Sequence, residues 1–414
     1  MSKKIKKIII AYASTGSGHK SAALALCESM SKIVNPDTTE ILLVDILDYF
    51  FTKIDGNKAI KLYSCVLPSV YDFTWRKNFT GRLLWAGGKS WPSFMYGKFE
   101  TFLKSYSPDL FIATHCVCAN TAAKARLSMN KYFPIVSVPT DYETEGLWPH
   151  RETDLFCVAS QRMVETLMCR KVPVEKILFS GIPIESKYGN KVNRTELIKK
   201  YKLPKDKKIA IILAGASESS PYTFIRKALK DCIKYFSTMD WMYFLFCVGK
   251  DEEYQKFILD ECSRYGAKNI RVVPYTDTIH ELIQLSDLAL TKPGGLTVTE
   301  CLCSNIPMLL VGKAYAQEYV NQRYLTYVGA AQHALTSDQI IDSLCHITSN
   351  DVVYEALVEN ASRISRPNAA HDICTKSLKL FEKFSNSNFD YHNPVEDISY
   401  LDSVYIGNKP IHSR

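Results

Sequence analysis

The sequence predicts an α/β protein built from two Rossmann-like domains that face a central cleft. Short apolar runs alternate with helical patterns, as in a parallel sheet covered on both faces. The alternation occurs twice, restarting after a Gly/Pro-containing stretch near residues 181–193. A glycine-rich turn also stands between a strand and a helix in each series, at 14–20 and at 291–300.

In the first series, Lys7–Tyr12 reads as a buried strand. A turn follows, and then a helix over Ser21–Ile33. Glu40–Asp45 and Asp109–Thr114 are strands, Asn120–Asn130 a helix, and Ile135–Pro139 and Leu155–Ala159 further strands. In the second series, Lys208–Leu213 is a strand, Gly215–Ser220 a turn, Pro221–Phe236 one helix and Trp241–Val248 a strand. Ile270–Val273, Leu288–Leu290 and Pro307–Val311 complete it. This divides the chain into a first domain at 1–183, a linker at 184–193 and a second domain at 194–384, whose last helices can pack back on the first domain. An irregular, polar, turn-rich tail follows at 385–414.

The 414 residues suit two or three domains, and 46% hydrophobic with 23% charged residues is an ordinary globular composition. A net charge of +8 is too modest and too scattered to argue for nucleic acid, but it permits attraction to an anionic membrane. No apolar run reaches the ~18 residues of a transmembrane helix. The start, Met1 to Ile10, reads as a basic lead into a buried strand rather than a signal peptide. The 13 cysteines include no CxxC pair. They read as reduced cytoplasmic thiols used as small hydrophobes, with the pairs Cys116/Cys118 and Cys301/Cys303 read as facing one side of a strand.

An insertion at about 50–106 is rich in Phe, Tyr and Trp. From Thr52 to Lys104 it carries nine basic residues against three acidic ones. Two readings stand: a surface for the bilayer interface, or the core of an enlarged domain with solvated charges.

Chemistry concentrates at the two turns. In Ser14-Thr-Gly-Ser-Gly-His-Lys20, Gly16 and Gly18 allow close backbone approach, and His19 titrates near neutrality. Taken alone, this histidine is more simply a helix cap. In Thr291–Glu300, Gly294 and Gly295 open a helix whose free N–H groups favour phosphate, and Glu300 lies one to two turns in, where a carboxylate can accept ribose hydroxyls. Taken alone, Gly-Gly is more simply a strand–turn–helix junction.

Several blocks occur in order: Ser14–Ala23, Pro139-Thr-Asp-Tyr142 with Trp148-Pro-His150, Gly181–Ile184, Leu213–Ala216, Thr291–Glu300 and Gln317–Asn321. Together they resemble the monogalactosyldiacylglycerol synthase and processive diacylglycerol glucosyltransferase family, and more distantly the enzyme that adds N-acetylglucosamine to lipid I. The resemblance covers roughly residues 5–380. It implies a GT-B fold, a UDP-sugar donor and inversion at the anomeric carbon. Carried over, it assigns Glu300 to the ribose, Gly294, Gly295 and Thr297 with Gly215 and Ser217 to the diphosphate region, and Tyr275 and Ile279 to the uracil. Gln317, Glu318 and Asn321 would meet the sugar, Gly16, Gly18 and Trp148 the acceptor, and His19 and Asp141 the reacting centre. Two departures bear on the donor sugar: Ser217-Glu218-Ser219-Ser220 where relatives often have Gly, and Ala316 where Gly is common.

No Asp-x-Asp is present, so no metal or other cofactor is expected and helix-start N–H groups would stabilise the leaving UDP. No flanking carboxylate pair of a glycosidase is identifiable. The leading expectation is transfer of glucose or galactose from a UDP-sugar to a diacylglycerol-type lipid, by an enzyme peripheral on the inner face of the cell membrane. The alternative keeps the donor and changes the acceptor to a polyprenyl-linked sugar or a secondary metabolite. A UDP-sugar 2-epimerase shares the architecture, and a non-catalytic nucleotide-sugar sensor is a further class.

Overall fold

The computed structural model describes residues 4–14, 16–49, 91–129, 131–143, 148, 152–214 and 222–386. The expectations for most of the aromatic insertion (50–90), for the turn with Gly215, Ser217 and Glu218, and for the tail from 387 lie outside these residues.

The chain enters through β1 (Lys7–Tyr12), α1 (Ser17–Ile33) and β2 (Glu40–Asp45). After the insertion it continues through α2 (Trp91–Tyr106), β3 (Leu110–Ala113), α3 (Cys116–Leu127), β4 (Ile135–Ser137), β5 (Leu155–Val158), α4 (Gln161–Cys169) and β6 (Ile177–Phe179). These six strands form one parallel sheet in the order β2-β1-β3-β4-β5-β6. Ile9 and Ala11 of β1 join the apolar cluster on one face, and Ile8, Ile10 and Tyr12 the cluster on the other. That two-sided burial is why the strand reads as a continuous apolar run rather than an alternating one.

The second half runs α5 (Arg194–Lys200), β7 (Lys208–Leu213), α6 (Tyr222–Lys230), α7 (Cys232–Phe236), β8 (Met242–Gly249), α8 (Glu252–Arg264), β9 (Ile270–Pro274), α9 (Ile279–Leu285), β10 (Leu288–Thr291), α10 (Gly295–Cys303), β11 (Met308–Val311), α11 (Ala316–Tyr327) and β12 (Ala331–Ala334). The helices α12 (Ser337–Ser349), α13 (Asp351–Ile364) and α14 (Ala369–Asn386) close the described chain. Its sheet has the order β12-β11-β10-β7-β8-β9. Counted from its own first strand, this is the 3-2-1-4-5-6 order of dinucleotide-binding folds. In each sheet the strand order reverses once, between β1 and β3 and between β7 and β10, and ligand crevices form at such switch points.

Two parallel six-stranded sheets facing a cleft make this a GT-B fold. One apolar cluster joins the halves, running from Phe111 and Phe156 through Ile182, Ile184 and Tyr188 to Ile211 and Met308. The last helix returns to the first half: α14 packs on α1, and Cys374 Sγ donates to the Leu26 carbonyl at 3.5 Å. Where the chain crosses between halves, Gly181 adopts φ +86°, and a Cβ there would lie 2.5 Å from Arg366 Cβ. Only glycine suits both that conformation and that approach.

The differences from the sequence reading have local causes. α1 begins at Ser17 rather than Ser21, because extended Gly16 already serves as its N-cap. α3 begins at Cys116 rather than Asn120, capped by His115, whose Nδ1 accepts from the Val117 N–H at 3.2 Å; histidine is outside the usual capping set. The expected helix Pro221–Phe236 is two, α6 and α7, interrupted at Asp231. β6 and β12 were not expected, and both are edge strands: β6 is an apolar run of only three residues, Ile177–Phe179, and β12 carries Gln332 and His333. Both CxC pairs lie on helices, Cys116/Cys118 on α3 and Cys301/Cys303 on α10, so they do not share a strand face. No disulfide joins the described cysteines. No helix among the described residues is long and apolar enough to cross a membrane.

Candidate active site

On the first rim, the turn after β1 delivers His19 into the opening turn of α1. Its Nδ1 lies 2.8 Å from the carbonyl oxygen of Thr114, which follows β3 across the switch point. A carbonyl only accepts, so this contact assigns the proton to Nδ1. Thr140 Oγ1 lies 3.1 Å from the same nitrogen. Nε2 then carries the lone pair. Burial lowers the pKa of His19, and the bond to Thr114 opposes that shift in part, so the ring is neutral near pH 7. His115 packs edge-on with ring centroids 4.7 Å apart. Burial first and His19 second hold His115 well below the usual histidine range.

Asp141 follows β4 on the same rim. Burial pushes its carboxyl up to about 6; Glu318 adds to the rise, while the Asn321 amide and Lys292 oppose it. A carboxyl in this range can hold or release a proton near neutrality.

On the second rim, β10 leads through Lys292-Pro293-Gly294 into α10, with Gly294 as the N-cap and no side chain capping the helix start. No side chain caps its opening N–H groups, and a helix start of this kind favours an anion. The rims touch here. A Cβ on Gly295 would stand 2.0 Å from the Thr140 carbonyl oxygen, and one on Gly18 would stand 3.3 Å from Leu296 Cδ2. The starts of α1 and α10 therefore converge, and Gly295 is glycine because backbone of the other half occupies the space of a side chain.

Lys292 and Glu318 form an ion pair beside Gly294. Glu300, two turns into α10, is pushed up to about 7 by burial, with a hydrogen bond from the Tyr188 phenol pulling the other way. Tyr188 belongs to the connection between the halves. Gln284 Nε2 steadies that connection by donating to the carbonyls of Lys187, Tyr188 and Asn190 at 2.9–3.1 Å. Thr297 is partly buried on α10 and Gln317 partly buried in the first turn of α11. Ala316 has φ +47°, in the region that favours glycine. Tyr275, 58% exposed, stands at the end of β9 with its hydroxyl 2.8 Å from Asp277 Oδ1, and Ile279 opens α9 close by in the chain.

Two expectations are corrected. Trp148 is buried in the core, so its ring is not presented to an acceptor. Asn321 is fully buried, and both its N–H donors are used within the protein, by Asp141 Oδ1 and the Pro293 carbonyl, leaving none for a sugar hydroxyl. Sequence reasoning also passed over Thr114, Thr140, His115, Tyr142, Tyr188 and Lys292. Lys292 carried a signal, a cation next to the glycines of an anion-binding turn. Thr140 and Tyr142 lay in the Pro139–Tyr142 block of the resemblance without an assigned role, and Thr114, His115 and Tyr188 carried no signal.

Two sheets of this order on either side of a cleft define the GT-B class of fold. Residues 19–184 match the family model described as monogalactosyldiacylglycerol (MGDG) synthase, and residues 212–373 the glycosyltransferase family 28 C-terminal domain. The chain is thus similar to the MGDG synthase and diacylglycerol glucosyltransferase group that its motifs resemble. A processive diacylglycerol beta-glucosyltransferase of Bacillus mycoides (strain KBAB4) is 26% identical over 383 residues, covering 89% of this chain and 92% of the relative. One from Bacillus thuringiensis (strain Al Hakam) is 25% identical over 389 residues, covering 91% and 94%. Among solved structures, MurG of Acinetobacter baumannii aligns with a TM-score of 0.57 at 15% identity, covering 90% of this chain and 99% of that one. The UDP-GlcNAc 2-epimerase of Neisseria meningitidis, bound to UDP-GlcNAc, aligns with a TM-score of 0.59 at 13% identity, covering 90% and 100%. At such identities the likeness is one of fold.

Proposed function

We propose that the protein is an inverting, metal-independent hexosyltransferase. It moves glucose or galactose from a UDP-sugar to a diacylglycerol-type lipid while resting on the inner face of the cell membrane. The observation that carries this reading is the meeting, at one cleft, of a neutral His19 with its Nε2 lone pair available and the uncapped start of α10.

The diphosphate lies at Gly294, Gly295 and Thr297, where helix-start N–H groups and Lys292 meet the charge that develops on leaving UDP. Glu300 accepts the ribose hydroxyls, Tyr275 and Ile279 border the uracil, and Gln317 and Glu318 meet the sugar. Gly215 and Ser217 complete the donor side in the same reading. Gly16, with open space where a Cβ would stand, leaves room for the acceptor, and Gly18 borders it against Leu296. His19 Nε2 takes the proton of the acceptor hydroxyl as its oxygen bonds to the anomeric carbon. The bond from that carbon to the phosphate oxygen breaks on the opposite face, and UDP leaves with the electron pair. Asp141 lies beside this centre as the second titrating group. The names of the curated relatives support a diacylglycerol acceptor and favour glucose.

The test is a panel of UDP-sugars against mixed lipids in neutral and anionic vesicles, with products read by mass spectrometry. A hexosyl-diacylglycerol formed faster on anionic vesicles is expected, with the difference shrinking as salt screens surface charge. Transfer to polyprenyl-linked acceptors alone, or epimerised UDP-sugar with no transfer, refutes the lipid reading.

A further inference from the structure

Asn321 lies on α11 in the second half, fully buried, yet its amide is spent mostly on the first half. Nδ2 donates to Asp141 Oδ1 at 2.8 Å and to the Pro293 carbonyl at 3.1 Å, and Oδ1 accepts from the Tyr142 N–H at 2.8 Å. The neighbouring contacts reinforce the bridge. The Tyr142 hydroxyl lies 2.8 Å from Thr299 Oγ1 on α10, and the Tyr142 ring stacks on Tyr324 of α11 at 5.1 Å. The loop after β4, which carries Asp141, is thereby fixed to the two helices that border the donor side.

We propose that Asn321 is a positioning residue for the transfer reaction: it reaches across the cleft, orients the Asp141 carboxylate, and makes that orientation depend on contact between the halves. The inference rests on the reading of Asp141 as a group at the reacting centre. A side-chain amide suits the task because it gives the carboxylate a directed donor without adding a charge. A cation here would compete with Lys292, and an aliphatic residue would leave a buried carboxylate oxygen without a donor.

The groups around Asp141 are Asn321 and Glu318 from α11, Lys292 from the β10–α10 turn, the Tyr142 phenol next in sequence, and His19 of α1 through Thr140. Burial and Glu318 favour the protonated carboxyl, whereas Asn321 and Lys292 favour the carboxylate. Asp141 works ionised, so turnover rises with pH through its pKa. Removing the amide donor raises that pKa and moves the acidic limb of the pH–rate profile to higher pH.

The experiment measures turnover against pH and melting temperature for wild type, Asn321→Ala, Asn321→Asp, Asp141→Asn and the double variant Asn321→Ala/Asp141→Asn. Asn321→Ala should move the acidic limb up by about one pH unit, the worth of a hydrogen bond to a charged group, which lowers turnover about tenfold well below the limb and about twofold at pH 7. The near-isosteric Asn321→Asp still accepts from Tyr142 but sets a carboxyl oxygen against Asp141, so its limb should move further. The double variant should be no slower than Asp141→Asn, since the amide acts through that carboxylate. Folded Asn321 variants with the wild-type limb, or losses that multiply with Asp141→Asn, overturn the inference and leave the reading of Asp141 standing. Full turnover of Asp141→Asn overturns the reading of Asp141 and the inference with it.

Discussion

Each rim of the cleft holds one partly buried carboxyl that burial pushes toward neutrality, Asp141 to about 6 and Glu300 to about 7. Each is met by one donor from outside its own turn. The donors differ in origin. Asp141 is held by Asn321 from the opposite half, whereas Glu300 is held by Tyr188 from the connection between the halves, itself clamped by Gln284 of the second half. The second rim is therefore assembled largely from its own half, and the first rim is completed only when the halves meet. If the second rim holds the donor and the first the reacting centre, as proposed, only the first depends on contact between the halves.

The sharpest way to break this comparison is at His19. If the first rim does the proton chemistry, His19→Ala should lower turnover by about 10²–10⁴-fold, the usual worth of a positioned base. UDP affinity should barely change, because the nucleotide side belongs to the other rim. Turnover, calorimetric UDP binding and melting temperature are measured together. Undiminished turnover removes His19 from the centre. A tenfold loss of UDP affinity instead shows that the rims do not divide the work.

The next effect is smaller and concerns Glu300. Glu300→Gln should weaken UDP binding about tenfold or more, the consequence of losing roughly 1.5–3 kcal/mol of charge-assisted hydrogen bonding. Its pH dependence has a definite sign. Ribose hydroxyls donate best to the ionised carboxylate, so wild-type affinity should rise from pH 6 to pH 8, relative to the variant, with a midpoint near the folded value of about 7. Folding stability moves the other way. The folded pKa is raised above the ordinary glutamate value of 4.5, so this contribution is present below about 4.5 and lost as pH rises through about 7. Parallel pH curves for the two proteins dismiss Glu300 as the titrating ribose partner.

The same asymmetry decided what the sequence disclosed. Buried central strands such as Lys7–Tyr12 and Lys208–Leu213 announce themselves as apolar runs, and the turns at the switch points announce themselves by glycine. The edge strand Ala331–Ala334 has no such run. At the site, residues lying close together in the chain, from Gly294 to Glu300, were readable together. The tie of His19 to Thr114 spans 95 residues, and that of Asp141 to Asn321 spans 180. Contacts of that separation leave no local pattern, so Asn321 read as a sugar ligand when the fold makes it a strut.

The smallest expected effect is none at all, on adding chelator. In the proposed reaction, negative charge grows on the phosphate oxygen that leaves the anomeric carbon, and something must meet it. A divalent cation held by an Asp-x-Asp pair is one solution, and this sequence contains no such pair. The alternative is fixed donors: the uncapped N–H groups that open α10 at Gly295, with the Lys292 ammonium beside them. These need no loading step, and the helix dipole points the same way. Turnover in excess EDTA should then equal turnover without it, and added magnesium or manganese should not raise it. Lys292→Met, by contrast, should lower turnover in both conditions alike, because it removes one of the charges that substitutes for the metal. Loss of activity in EDTA that either cation restores would mean that the second rim is incomplete as built, and that it too depends on a part from outside its own half.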